Sequence, residues 1–180
     1  MNTSSRLRSR TLMAVTLWLT ALPGLAQNCQ VVVSRPNIEL GNQYVSTVSK
    51  TLFTRQELTA QIECEAGGPI GVRIEGTADS KGSAFHFGNG GRMTLTLLSA
   101  RYNGVETALR LTQPYEKLLA PGESIKLTPG SELLLPMQTA SESRRNLTLQ
   151  LRLDFPFTGK EIPVRDLTEL EGQIRLAVES

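Results

Sequence analysis

Leu147-Thr148-Leu149-Gln150-Leu151-Arg152-Leu153-Asp154-Phe155 decides the fold class. Every second residue is large and apolar, and every intervening one is polar or charged. Successive side chains of an extended chain point to opposite faces, so this stretch reads as a β-strand with one face in a core and the other in water. A helix would spread the same leucines around its whole circumference.

The alternation recurs on both sides of this strand. Cys29, Val31 and Val33 share one parity, as do Leu58, Ala60, Ile62 and Cys64. Ile70, Val72 and Ile74 follow the turn residues Gly67-Gly68-Pro69, and Met93, Leu95 and Leu97 follow Gly88-Asn89-Gly90-Gly91. Tyr102-Asn103-Gly104-Val105 predicts a two-residue hairpin, because Asn-Gly accepts the two positive φ angles of a type I′ turn. Pro121-Gly122 and Pro129-Gly130 predict turns on either side of Ser124–Thr128. The last segment, Leu170 to Val178, alternates again. Arg55–Leu58 and Pro163–Leu170 read as short helical turns at most. Many short strands with Gly and Pro between them predict an all-β Greek-key sandwich or a barrel.

The amino terminus is of a different kind. Arg6, Arg8 and Arg10 precede an apolar run from Thr11 to Leu22, and Pro23-Gly24-Leu25-Ala26 follows. The run is shorter than the roughly 18–20 residues that cross a bilayer, and small residues end it, which predicts a secretory signal peptide over residues 1–26. Residues 27–180 then form a single domain of 154 residues. Of the 19 Lys+Arg three fall in the leader, leaving 16 against 17 Asp+Glu. A near-neutral balance of this kind implies no nucleic-acid partner. The two cysteines, Cys29 and Cys64, both lie beyond the leader, and export to an oxidising compartment predicts that they form one structural disulfide. Closing a loop of about 35 residues stabilises by roughly 3–4 kcal/mol in the chain-entropy picture.

Residues for chemistry are sparse. His86 is the single histidine, which leaves a metal site or a histidine-based hydrolase short of partners, so no catalytic residue, metal or cofactor is expected. Gly88-Asn89-Gly90-Gly91 lacks the Lys-Ser/Thr end of a phosphate-binding loop. Asp79 with Glu75, and Asp154 with Glu161, read as solvated strand carboxylates rather than a glycosidase pair. Asn146-Leu147-Thr148 matches a glycosylation sequon of a length that arises often by chance. Ser141 to Arg145 reads as a polar loop. Phe85, His86 and Phe87 form an aromatic cluster, the first place to look for a ligand surface, with Tyr102 and Tyr115 next, although core or edge packing is the plainer reading of these side chains.

In the order of these features the chain resembles the pilin subunits of the chaperone–usher pathway. It has a leader, an early Cys29, a second Cys64 closing the strand Leu58-Thr59-Ala60-Gln61-Ile62-Glu63-Cys64, a mid-chain Asn103-Gly104 hairpin and an alternating final strand. The resemblance implies an immunoglobulin-like sandwich lacking one strand, exported through the periplasm to a fimbrium on the cell surface. Its implied partners are a periplasmic chaperone, an outer-membrane usher, a neighbouring subunit and a surface receptor. It implies a groove walled by Leu170, Ile174, Leu176 and Val178 of the final strand, filled first by the chaperone and then by a neighbour's donated strand. Two features depart from the family. Glu179 stands where an aromatic residue is common, and cleavage after Ala26 leaves Gln27 and Asn28 alone ahead of Cys29. Such a subunit would accept a strand without donating one, as a tip subunit does. The alternatives are a self-contained exported sandwich that binds a ligand such as a carbohydrate, its groove filled by its own Ser141–Asp166 region, and, third, an extracytoplasmic hydrolase.

Overall fold

The structure is a computed structural model, and it describes residues 29–39, 52–65, 69–88, 91–136, 144–157 and 171–179. Twelve strands are present among them, and no helix: β1 (Cys29–Val33), β2 (Leu52–Glu65), β3 (Ile70–Gly76), β4 (Phe85–Phe87), β5 (Gly91–Tyr102), β6 (Val105–Glu106), β7 (Leu109–Gln113), β8 (Lys117–Leu119), β9 (Ile125–Leu127), β10 (Glu132–Leu135), β11 (Arg144–Phe157) and β12 (Ile174–Glu179). They make two antiparallel sheets. The first runs β1-β2-β11-β5-β4, with β6 and β9 also on β5; the second runs β12-β3-β10-β7-β8. Apolar side chains from both sheets meet in one core, so the all-β, two-layer reading holds.

The leucine-rich stretch is the middle of the first sheet. β11 pairs with β2 along its whole length and with β5 from Leu147 to Asp154. Leu147, Leu149, Leu151, Leu153 and Phe155 are all buried. At about 1.5–3 kcal/mol for each buried side chain of this size, the strand is the largest apolar contributor among the elements. Its outer face carries polar neighbours that bond across strands, such as Thr59 Oγ1 donating to Gln150 Oε1 at 3.1 Å.

β5 explains a change of phase in the sequence. Met93, Leu95 and Leu97 point inward, and so do Ala100 and Tyr102, one residue out of step. A bulge between the Leu151↔Leu97 and Gln150↔Ser99 pairs absorbs the extra residue, Leu98. Beyond Tyr102 the predicted hairpin forms, with φ of 47° at Asn103 and 85° at Gly104. Asn103 is also tied sideways to β11: its N–H donates to the Asn146 carbonyl at 2.8 Å, and the Asn146 N–H donates to its Oδ1 at 2.9 Å. The outer edge of β5 is shared by three short strands: β4 at Gly91–Met93, β9 at Leu95–Leu97 and β6 at Arg101–Tyr102.

Two of three expectations change. Arg55–Leu58 is extended strand inside β2, held by its ladder to Asp154–Leu151 and by Arg55 Nε donating to Asp154 Oδ1 at 2.8 Å. Pro163–Leu170 lies outside the described residues. Within Ser141–Asp166, residues 144–157 are the interior strand of a sheet and are therefore unable to fill a groove at its edge.

Leu149→Ala should lower the unfolding free energy in urea by about 2–5 kcal/mol, the cost of a buried leucine cavity. Thr148→Ala, one residue away on the wet face, should change it by less than about 1 kcal/mol.

Candidate strand-accepting groove

β1 and β12 are the end strands of their sheets. Among the described residues β1 pairs only with β2, and β12 only with β3. The two come near each other on one side of the sandwich. Cover falls away toward that side. Ile62, Ala60, Ile74 and Val72, one strand in, are 0% exposed. Their register partners Val31, Val33, Leu176 and Val178 are half-buried and pack against the core from its edge, as do Cys29 and Ile174. Among the described residues, that side therefore presents two rows of apolar side chains and, along each end strand, an edge of backbone hydrogen-bonding groups.

The disulfide fixes one wall. Cys29 and Cys64 are bonded and directly opposite in the ladder, with Cα atoms 4.1 Å apart. Below β1 the wall continues, since the Ser34 N–H donates to the Thr59 carbonyl at 2.9 Å and the Thr59 N–H to Ser34 Oγ at 2.9 Å.

The other wall is positioned by close backbone approach. The Gly88 N–H donates to the Glu171 carbonyl at 2.8 Å, bringing the chain before β12 down onto β4. A Cβ on Gly172 would lie 2.9 Å from Phe87 Cδ2 and 3.0 Å from Met93 Cε; one on Gly76 would lie 2.7 Å from Phe85 Cδ1. Both glycines are required by contact with the phenylalanine rings. β4 in turn rests on an aspartate-centred loop. Asp79 Oδ1 accepts from the Ser83 N–H at 2.8 Å and the Ala84 N–H at 3.0 Å, the Asp79 N–H donates to the Ala84 carbonyl at 2.8 Å, and Arg92 lies 3.8 Å from Oδ2. Burial pushes the Asp79 carboxyl up, but the Ala84 and Ser83 N–H groups, the Arg92 charge and the Lys81 N–H outweigh it, leaving the pKa below the ordinary value.

Ile174, Leu176 and Val178, expected from the sequence to wall a groove, lie half-buried on the end strand β12 and pack against the core, while Leu170 lies outside the described residues. Val31 and Val33, the facing wall, were read as strand residues without that role; their even spacing from Cys29 is the signal that marks them. The aromatic cluster is corrected. Phe85 is 0% exposed and Phe87 is 8% exposed, and Phe87 packs edge-on against Phe155 at 5.3 Å between ring centroids. Only His86 points outward, so the rings form part of the core and offer no ligand surface. Tyr102 is half-buried against the core, whereas Tyr115 is exposed. Arg144 and Arg145 belong to β11 rather than a loop, and the Arg145 side chain is buried, with Nη2 donating to the Glu65 carbonyl at 3.4 Å. Asp154 is engaged by Arg55 at 2.8 Å and Arg152 at 3.1 Å, and Glu75 faces Arg175 at 3.9 Å.

No protein-family model matches this chain, and no curated protein matches it. The functional reading therefore rests on the groove and the sequence.

Two measurements probe the support of the β12 wall. Gly172→Ala should destabilise by about 1–3 kcal/mol, the range for overpacking, measured by urea unfolding. A depressed folded-state pKa gives Asp79 a contribution that is fully present at neutral pH, declines below the ordinary value of 3.8, and is gone once pH passes below the folded-state value. The acid limb of the stability curve should accordingly be less steep in Asp79→Asn than in wild type, and superimposable limbs would contradict the assignment.

Proposed function

We propose that this protein is a subunit of a bacterial surface fimbria, an immunoglobulin-like sandwich one strand short, completed by strand addition across the side between β1 and β12. A periplasmic chaperone supplies that strand first, and a neighbouring subunit replaces it at the outer-membrane usher. The role is structural or adhesive, with no catalytic chemistry. The observation that carries this reading is the pair of end strands, whose inward apolar residues stay half-covered while those one strand in are fully buried. Main-chain hydrogen bonds to an incoming strand would complete the edge, and its alternate side chains would complete the core. The leader over residues 1–26 and the Cys29–Cys64 bond agree with export into an oxidising compartment.

Expression in the periplasm tests the proposal. Produced alone, the subunit should aggregate or be degraded, because it exposes an apolar groove and open edges. Co-produced with a pilus chaperone it should be recovered as a soluble one-to-one complex. A soluble monomer that unfolds cooperatively by itself and ignores the chaperone would refute it and favour a self-contained exported domain. N-terminal sequencing of the exported protein tests the tip position: a start at Gln27 leaves no donor segment ahead of Cys29, and a start well upstream removes the basis for it.

A further inference from the structure

The groove changes character along its length. On β2 the inward positions Cys64, Ile62, Ala60 and Leu58 are buried and apolar, and then Gln56 and Thr54 are polar and half-buried. Gln56 is inward by its register with buried Leu153, and Thr54 by its register with buried Phe155. Arg35, two residues past the end of β1, reaches this spot: its Nη1 donates to Gln56 Oε1 at 3.2 Å. The cation therefore lies at the foot of the open side, on the core-facing side of the β2 edge.

The foot is also where β12 begins. Ile174 is opposite Gly76, Gly76 lies against the Phe85 ring, and Phe85 pairs with Met93, next to the Thr94–Asp154–Arg55 row. Val178, paired with Val72, lies toward the disulfide end. A strand filling the groove thus runs between apolar walls at the Cys29 end and meets Arg35 near Ile174. Among the described residues no carboxylate pairs with Arg35. Arg175 does not compete for this place, because it is on the outer face with Glu75. A guanidinium has five N–H donors in a fork that suits a carboxylate.

On the reading that the groove accepts a strand, we infer that its occupant is an alternating apolar segment with an acidic side chain at the end that meets Arg35. The apolar walls supply most of the affinity. The ion pair sets register and rejects strands slipped by two residues, which would place an apolar side chain on the arginine.

Labelled peptides of about eight residues, alternating Val and Thr, test this. Each carries Glu, Gln or Lys at one end, in separate amino-terminal and carboxy-terminal series. Binding is followed by fluorescence anisotropy as the disulfide-bonded protein is refolded from urea. In one series the Glu peptide should bind roughly three- to fivefold more tightly than the Gln peptide at low ionic strength, and the Lys peptide more weakly than both, as for an exposed ion pair. The difference should shrink at about 1 M salt, and Arg35→Glu should invert the order. Equal binding of all three peptides in both series overturns the acidic requirement while leaving the groove reading intact. No binding by any peptide removes the groove reading and this inference with it.

Discussion

The constraint on which the structure depends is cover for β11. A strand with five large apolar side chains on one face needs a second sheet over that face, and its backbone needs a partner on each edge. β2 supplies one edge throughout, and β5 supplies the other as far as Asp154. The second sheet supplies the lid with Ile70, Val72, Ile74, Leu109, Leu111, Leu133 and Leu135. Once β11 is placed, the remaining design question is how each sheet ends. The two sides of the sandwich answer it differently.

On the far side, the outer edge of β5 is met by β4, β9 and β6 in turn. Each is two or three residues long, too short to be stable alone. They hold because loops with internal hydrogen bonds deliver them, as the Asp79 loop does for β4. On the near side the sheets end on β1 and β12, and both end strands leave their inward side chains half-covered. The contrast lies within one core, which makes the open side a property of particular strands and not of a loosely packed domain. An end strand with no further partner among the described residues can pair with another chain, and that possibility is the physical content of the proposed fimbrial reading.

Much of this was legible in the sequence, for identifiable reasons. Alternation marks a strand whenever one face is wet, so β11, β3 and β12 could be read directly, and Asn103-Gly104 fixes its turn by backbone chemistry alone. Strand partnership is not a local property: nothing in Phe85-His86-Phe87 or Ile125-Lys126-Leu127 says that both join β5. For the aromatic cluster the structure decides between the two readings the sequence leaves open, ligand surface and core packing, in favour of packing; its own period of two, with the phenylalanines on one parity and His86 on the other, already describes a short strand with buried rings. Arg55–Leu58 resisted the same rule for a physical reason. Of its two inward positions Leu58 is buried and apolar but Gln56 is polar and half-buried, because β2 extends there past the end of β1, so the apolar signal of the strand fades while its hydrogen-bonded ladder continues.

That fading has a structural meaning of its own. Between Leu58 and Gln56 the same strand, on the same face, passes from a core surface to one that hydrogen-bonds Arg35. An arginine beside an apolar groove weakens indiscriminate pairing, because a purely apolar strand laid along the full length would strip water from a charge without replacing it. Natural sheet edges use inward-facing charges for this purpose. Here the charge sits at one end only, so it leaves the apolar length between Cys29 and Val33 available and limits where a strand can stop. The disulfide bounds the groove at one end by tying β1 to β2, and the arginine bounds it at the other by chemistry. On the proposal that this side accepts a strand, a groove bounded at both ends would recognise its segment by length and polarity together, which discriminates better than apolar area alone.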